Sequence, residues 1–168
     1  MTSQHLHSQR LDLQPLDPGA AQALPDDRAL ASTVIGARLS ADWPAPDLLD
    51  VLPMQAAASP ENACFGVWVI IERETATVIG DIGFFGPPGP DQTIEIGYSI
   101  VSDRRRRGYA TEAARTLVRW ALEQPGVSSV VAGCDSTNRP SILTLEGLGF
   151  ARVEPVGDQL RWRLERRP

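Results

Sequence analysis

The sequence predicts an α/β domain built on one mixed sheet, and three observations support this. Runs of β-branched and aromatic residues, typical of strands, alternate with stretches whose apolar residues recur every three or four positions, as in amphipathic helices. The chain has 168 residues, of which 42% are hydrophobic and 22% charged, proportions typical of a globular domain with its own core. No apolar run approaches the ~20 residues needed to span a bilayer. We therefore expect a single domain over residues 1–168, outside the membrane.

The first third of the chain predicts one strand followed by short helices. Leu11 and Leu13 alternate with polar residues in "QRLDLQPL", which is typical of a strand. The following stretch is rich in Ala, Asp and Pro, and its prolines interrupt any longer helix. The helices predicted there lie around residues 18–24, 27–39 and 47–57.

From residue 65 the patterns become clearer. "FGVWVIIE" is a continuous apolar run, typical of a strand buried on both faces, and "TATVIGDIGFFG" follows as its hairpin partner. In the next strand, "TIEIGYSIV", Ile96 and Tyr98 face one side and Glu95 the other. The remaining predicted elements are a helix at 110–122, a strand at 127–134, a helix at 138–150 and a C-terminal hairpin. This order of elements predicts an α/β domain: strand, helices, three meandering strands, helix, strand, helix and hairpin.

Charge is divided unevenly along the chain, whose formal net charge is −5. Residues 1–100 carry 13 acidic residues against 4 arginines, and residues 101–168 carry 12 arginines against 8 acidic residues. Four of these arginines are consecutive, Arg104 to Arg107, in the loop that leads into the helix at 110–122. A helix N-terminus has unpaired N–H groups and a partial positive charge, and Gly108 lets a ligand approach the backbone closely. The loop therefore predicts a pyrophosphate site, and the alternative for the four arginines taken alone is a solvated basic turn.

The same loop carries a family resemblance. Residues 105–110 fit the pattern [Q/R]-x-x-G-x-[G/A], and in this position they resemble the acetyl-CoA motif of the GNAT-type N-acetyltransferase superfamily. "EIGYSIVSDRRRRGYATEA" is similar to its ribosomal-protein alanine N-acetyltransferase branch, "QRLDLQPLDPGAAQAL" to that branch's first strand and helix, and "NRPSILTLEGLGF" to its second cofactor motif. The resemblance implies a GNAT-like α/β (α+β) fold, with a mixed, mostly antiparallel sheet of about six or seven strands flanked by helices. It also implies an acetyl-CoA-binding core at 92–150 and a helical acceptor side at 17–60.

The resemblance further implies which residues bind acetyl-CoA. The backbone of Ile100 and Val101 would pair with the pantetheine arm as an added strand does. Asn138 would hydrogen-bond the arm, with Ser141 beside it. The pyrophosphate would be held by backbone amides and arginine side chains of the loop and first helical turn, namely Arg105, Arg106, Arg107, Gly108, Tyr109, Ala110 and Thr111. We expect the side chain of Tyr109 to pack inside the protein.

Acetyl transfer to an amine needs a base and a proton donor for the departing thiolate. Glu95, in an otherwise apolar strand, is the predicted base, and the alternative is a structural carboxylate bonded to backbone or to an arginine. Ser141 is the predicted donor, and the alternative is a hydroxyl bonded to a backbone carbonyl of its helix. Many superfamily members place a tyrosine acid four residues later, where this chain has Leu145.

Several further residues are candidates only. Trp43 and Trp68 are candidates to line an acceptor pocket, with packing as the default, and Tyr98 is predicted to belong to the core. Cys64 and Cys134 lack CxxC spacing and fit reduced thiols in a cytoplasmic protein. His5 and His7 lack the further ligands of a metal site, so no metal is expected.

These observations give one functional hypothesis and two alternatives. The hypothesis is a cytoplasmic, acetyl-CoA-dependent N-acetyltransferase, monomer or homodimer, with direct attack in a ternary complex because no nucleophile is well placed. Its acceptor would be a protein N-terminus or a small primary amine. The first alternative is a non-catalytic acyl-CoA-binding module, suggested by the missing tyrosine. The second is nucleic-acid binding by the four arginines, which the short patch and the acidic chain disfavour.

Overall fold

The computed structural model describes residues 4–168, and in these residues the chain forms one mixed sheet of nine strands. The strands follow the order β1-β2-β4-β5-β6-β7-β9-β8, and β3 pairs with β5. Only the pairs β3–β5 and β6–β7 are parallel. The strands are β1 (Leu6–His7), β2 (Leu11–Pro15), β3 (Arg38–Leu39), β4 (Val67–Glu72), β5 (Thr77–Phe84), β6 (Thr93–Ile100), β7 (Ser129–Asp135), β8 (Ala151–Val156) and β9 (Gln159–Glu165).

Six α-helices accompany the sheet in the described residues. They are α1 (Pro18–Ala23), α2 (Arg28–Ile35), α3 (Pro46–Leu49), α4 (Leu52–Ala56), α5 (Tyr109–Glu123) and α6 (Arg139–Gly147). The longest, α5, contacts strands β1, β2, β5, β6 and β7 and also α6, whereas α1 packs against α2 and α4. The apolar stripe of α5 is buried as its spacing predicts, with Ala113, Leu117 and Ala121 fully inaccessible to solvent. None of the helices within residues 4–168 combines the length and apolar character that crossing a bilayer requires.

The α/β class and the mostly antiparallel sheet are confirmed, but the strand count is higher than the six or seven expected. The extra strands, β1 and β3, are two residues long. Such short segments carry no readable alternation, so the sequence gives no signal for them.

The helix predicted at 27–39 ends early. Its last helical residue is Ile35, and Gly36 terminates it in the left-handed conformation, with φ of +81°. Arg38 then pairs with Thr77 on β5, which turns the end of the predicted helix into a strand.

The helix predicted at 47–57 is divided into α3 and α4. Pro53 has no N–H to donate to the preceding turn, so a helix that begins at Pro46 cannot continue through it. Gln55 then fixes α4 against the sheet, because its side chain donates to the Leu16 carbonyl (2.8 Å) and accepts from the Val67 amide (3.0 Å).

One irregularity of the sheet determines where the site lies. The parallel ladder between β6 and β7 begins at Thr93–Ser129 and ends at Ile96–Ala132. Both strands continue beyond it, β6 to Ile100 and β7 to Asp135. The last part of β6 therefore has no strand partner on its β7 side, which leaves a cleft between two strands of the same sheet.

Candidate active site

The N-terminus of α5 lies next to the open end of β6. Gly108 caps this helix with φ of +80°, and in the part of the chain that the structure describes no side chain caps the amides of its first turn. A Cβ built on Gly108 would meet only Arg10 Nη2, at 3.4 Å, and the glycine is exposed. The acid of the first turn, Glu112, is turned away, since it accepts from Ser8 Oγ (2.6 Å) and from Arg10 Nε (2.7 Å). The partial positive charge of the helix is therefore available to an anion.

The four arginines have different roles. Arg104 contacts the Glu72 carboxylate at 3.1 Å and the Asp103 carboxylate at 2.9 Å. The other three, Arg105, Arg106 and Arg107, are exposed and form no ion pair with any carboxylate of residues 4–168. The guanidinium groups of Arg106 and Arg107 are thus available to bind an anion, whereas Arg105 already donates its Nε to the Ile100 carbonyl (2.9 Å).

Glu72 fixes the start of α5 from inside the fold. This buried carboxylate accepts hydrogen bonds from Thr75 Oγ1 (2.8 Å), Tyr109 Oη (2.9 Å) and Arg104 Nε (3.1 Å). Burial alone would raise its pKa, but the bonds from Thr75, Tyr109 and Arg104 outweigh burial and lower the pKa of Glu72 below its usual value. The side chain of Tyr109 is therefore internal, as expected, and only its backbone amide faces the ligand side.

The two predicted pantetheine contacts differ in their partners. The Val101 amide donates to the Ile79 carbonyl at 2.9 Å, so the sheet already uses this group. The Ile100 carbonyl accepts from Arg105 Nε, also at 2.9 Å. A ligand can displace the exposed Arg105 side chain from the Ile100 carbonyl more easily than it can break the backbone bond between Val101 and Ile79. Ile100 is consequently the better placed of the two to pair with an added strand.

Across the cleft, α6 presents the second predicted group. Asn138 caps this helix, and its Oδ1 accepts from the Ser141 amide at 3.3 Å, which leaves its side-chain NH2 free to donate. Thr111 of α5 lies against α6, with 3.2 Å between its hydroxyl and that of Thr144. Leu145, at the position of the family's tyrosine, is 2% exposed and belongs to the core.

Tyr98 was expected in the core, and its ring packs against the core while its hydroxyl lies at the cleft. The hydroxyl is inaccessible to solvent, and no atom of residues 4–168 meets hydrogen-bond geometry with it. The pKa of Tyr98 is raised above its usual value, and burial is the largest cause. The Ser141 and Thr144 hydroxyls partly offset this rise, while Cys134 adds to it. The phenol of Tyr98 therefore lies near the hydroxyl groups of Ser141 and Thr144 on α6.

Glu95 lies in the part of β6 that is still paired with β7. Its carboxylate accepts from Arg161 Nη1 at 2.7 Å. Arg161 reaches it by crossing β7 at Gly133, where a Cβ would come within 2.7 Å of the guanidinium. This contact corresponds to the structural alternative left open for Glu95, and its role as base stays a prediction.

A cavity of about 730 Å³ opens beside the cleft, on the side of α3 and α4. Its apolar lining includes Leu48, Val51, Met54, Phe65, Phe84 and Phe85. Among residues 4–168, two carboxylates line it, Asp47 and Asp81, and no basic residue does. Asp81 belongs to no recognisable sequence motif, and its one signal is that it is the charged residue within the apolar run "TATVIGDIGFFG".

Asp81 is held by Trp43, whose Nε1 donates to its Oδ2 at 2.9 Å. Arg28 in turn fixes the Trp43 carbonyl at 2.6 Å. Burial raises the pKa of Asp81 to about 6, although the bond from Trp43 lowers it. Trp43 thus supports the carboxylate, whereas Trp68 is fully buried and donates to the Cys64 carbonyl, which is packing.

A second cavity, of about 170 Å³, lies between this region and the arginine loop. Asp42, Trp43, Ile100, Val101 and Arg105 are among its lining residues. Ser99 lines both cavities and pairs directly with Asp81 across β5 and β6. The two cavities therefore meet at the open end of β6.

The chain matches known proteins along most of its length. The profile of the acetyltransferase (GNAT) domain matches residues 10–151. The chain is 31% identical to the uncharacterized N-acetyltransferase YjdG of Bacillus subtilis (strain 168) over 160 residues, which are 94% of this chain and 95% of that protein.

Solved structures share the fold at lower identity. The ribosomal-protein-S5-alanine acetyltransferase from Vibrio fischeri superimposes with a TM-score of 0.72 and 13% identity over 97% of each chain. RimL, a ribosomal L7/L12 alpha-N-protein acetyltransferase solved in complex with coenzyme A, gives a TM-score of 0.69 and 14% identity over 96% of this chain and 98% of RimL.

These matches identify the class of protein. The chain belongs to the GNAT acetyltransferase family, and it is a GNAT-type acetyltransferase whose cosubstrate is acetyl-CoA. The resemblance to this family seen in the sequence is confirmed.

The residues at the cleft fit this cosubstrate. The exposed Gly108 turn and three arginines without ion pairs suit a pyrophosphate, and the open edge of β6 suits the pantetheine amides. Tyr98 lies on β6 two residues beyond Ile96, the last residue of this strand that is paired with β7.

Proposed function

We propose that this acetyltransferase moves the acetyl group of acetyl-CoA to a primary amine held in the 730 Å³ cavity. The observation that carries the proposal is the junction of the two cavities at Ser99. A thioester placed along the open edge of β6 would reach this junction from one side, and an amine in the larger cavity from the other. Holding both reactants at one point makes a large contribution to rate.

The lining of the larger cavity supports an amine as acceptor. Asp47 at its rim and Asp81 deeper inside attract a cation, and no lining arginine, lysine or histidine opposes it. The apolar side chains favour an amine carried on a hydrophobic body. The volume is within the usual range for small ligands, roughly 300–1,000 Å³, and also accommodates the first residue of a peptide. The names of the two ribosomal-protein acetyltransferases with this fold support a protein N-terminus.

The binding roles follow the sequence predictions. Arg105, Arg107 and the amides at Gly108 would hold the pyrophosphate, Ile100 would bond the pantetheine arm, and Asn138 would donate its free amide to the same arm. The helix dipole and the guanidinium groups would fix the coenzyme in one orientation. The acetyl group would then lie at the junction of the cavities.

The chemistry would be direct attack in a ternary complex. Among residues 4–168, no cysteine or histidine lines the larger cavity, and the Cys134 side chain is only 6% exposed. The cavity therefore offers no thiol or imidazole nucleophile for an acetyl-enzyme intermediate. Ser141, half-buried at the cleft, remains the proposed donor to the thiolate, with Tyr98 beside it.

The test is a screen of acetyl-CoA consumption over primary amines and short peptides with free N-termini. We expect turnover with at least one amine that carries an apolar group, and none with its N-acetylated counterpart. Thermal unfolding with acetyl-CoA separates the alternatives. A rise in Tm without turnover for any amine would identify the non-catalytic acyl-CoA-binding module instead.

A further inference from the structure

We infer that Asp81 on β5 receives the acceptor's ammonium group and takes a proton from it before attack. This inference rests on the proposed function and deepens it, since it names the chemical class that the cavity takes. That class is a primary ammonium attached to an apolar body. It also assigns the base to a carboxylate that the sequence analysis did not consider.

The position of Asp81 is the first argument. It lies in the middle of β5, opposite Val69 on β4 and Ser99 on β6. Because Ser99 lines both cavities, the carboxylate lies one strand away from the point where they meet. An amine bonded to Asp81 would therefore be directed toward the open end of β6.

The bonding of the carboxylate is the second argument. Trp43 Nε1 occupies Oδ2, and no other side chain of residues 4–168 bonds the carboxylate. Trp43 is 1% exposed, and Arg28 holds its backbone, so this oxygen is fixed. The second oxygen, Oδ1, stays available to accept a hydrogen bond from an ammonium group.

The charged groups around Asp81 are consistent with this role. Asp47 on α3 shares the cavity, and Asp42 and Arg105 line the smaller cavity beyond Ser99. None of these three groups shifts the pKa of Asp81, which burial raises and the hydrogen bond from Trp43 lowers. With a pKa of about 6 it is ionised at neutral pH, yet it is a stronger base than an ordinary aspartate.

Glu95 is less suited to the same task. Its carboxylate is bonded to Arg161 at 2.7 Å, and it lines neither of the two cavities. Asp81 is therefore the one of the two carboxylates that has access to the acceptor cavity.

The step balances as follows. The ammonium nitrogen gives one proton to Asp81, and the neutral amine attacks the thioester carbonyl carbon. A C–N bond forms and the C–S bond breaks, so the electron pair of the latter leaves on sulfur. The nitrogen loses a second proton, which balances the proton that the thiolate takes up to become coenzyme A. Asp81 then releases its proton to solvent.

The test compares Asp81→Asn with Glu95→Gln, using the best amine from the screen. Asparagine keeps the shape of the side chain and an oxygen that can accept from Trp43, so we expect the variant to fold. We expect kcat/KM for the amine to fall about 100-fold or more in Asp81→Asn, within the range for loss of a general base, with acetyl-CoA affinity unchanged. Glu95→Gln should lose less activity than Asp81→Asn.

The pH profile adds a readout that a structural role would not move. In the wild type, kcat/KM should fall as pH decreases through about 6, the pKa of Asp81. Trp43→Phe removes a bond that lowers this pKa, so the acidic limb should move to higher pH. Glu95→Gln should leave the limb in place.

The outcomes separate two failures. Wild-type kcat/KM in Asp81→Asn, or loss of the acidic limb in Glu95→Gln, would overturn the role of Asp81 while leaving the acetyltransferase reaction intact. An absence of turnover by the wild type with every amine would overturn the proposed function and this inference together.

Discussion

The coenzyme side and the acceptor side of this molecule are built in opposite ways. Most of the proposed coenzyme side comes from one continuous segment, residues 100–111, in which a strand end, an arginine loop and a helix N-terminus follow one another, and α6 adds Asn138. It is positively charged and exposed. The acceptor side is assembled from separate segments, with Trp43, α3 and α4, Asp81 and Ser99 brought together by the sheet. It is apolar and acidic. The difference indicates that a phosphate group needs local backbone geometry, whereas an amine needs a shaped and partly dry cavity.

The largest effect is expected from closing the coenzyme side with Gly108→Val. A branched side chain at the helix N-terminus would occupy the space that the pyrophosphate needs, so acetyl-CoA affinity should fall at least about 100-fold, or about 2.7 kcal/mol. Isothermal titration with acetyl-CoA measures this.

Gly36→Val is the matched control for that variant. Gly36 has nearly the same backbone angle, φ of +81° against +80°, and nothing lies within 4 Å of its Cβ position. Both variants should lose similar stability to backbone strain, but only Gly108→Val should lose affinity. Equal affinities in the two variants would refute the coenzyme site at this turn.

The next effect concerns the stability of the acceptor side. The pKa of Asp81 is about 6 in the folded protein against the model-peptide value of 3.8. Between these values the folded state binds more protons than the unfolded state, so the free energy of unfolding should fall as pH rises from about 4 to about 6. Asp81→Asn removes this cost and should be more stable than the wild type at pH 7–8, by about 1–3 kcal/mol.

Urea unfolding of both proteins at pH 4 and at pH 8 tests this expectation. The stability advantage of Asp81→Asn should be largest at pH 8 and should nearly vanish at pH 4. A pH-independent difference would show that burial does not perturb this carboxylate, and the acceptor side would then lose its distinguishing property.

A smaller change in acetyl-CoA affinity is expected when single arginines are replaced. Arg107→Gln should weaken acetyl-CoA binding by about three- to tenfold, since one charge-assisted contact at an exposed site is lost. Arg119→Gln removes the same charge from the exposed face of α5 and serves as control. Equal weakening in both variants would mean that only net charge matters.

Arg104→Gln should behave differently from both. It removes a partner of the buried Glu72, so it should lower the free energy of unfolding by about 1–3 kcal/mol while changing acetyl-CoA affinity little once the protein is folded. Thermal unfolding and titration of the same sample give both quantities. Full stability in this variant would contradict the structural role assigned to Arg104.

The same contrast explains what the sequence could predict. The arginine loop, Gly108 and the stripe of α5 are read from contiguous residues, because helix periodicity and turn chemistry are local properties. Asp81 and Trp43 are 38 residues apart in sequence and meet only in the folded sheet. The pairing of Glu95 with Arg161 likewise joins β6 to β9 across Gly133. Side-chain contacts between distant strands depend on register and strand order, which local patterns do not specify.

The most direct measurement is mass spectrometry of the products formed from acetyl-CoA and a mixture of three acceptors of matched size. Each carries the same apolar body, with an amine, an alcohol or a carboxylate as its polar end. The amide should be the sole acetylated product, formed by the wild type and Gly36→Val but lost in Gly108→Val and in Asp81→Asn. Acetylation of the alcohol, or undiminished amide formation by both site variants, would contradict the account.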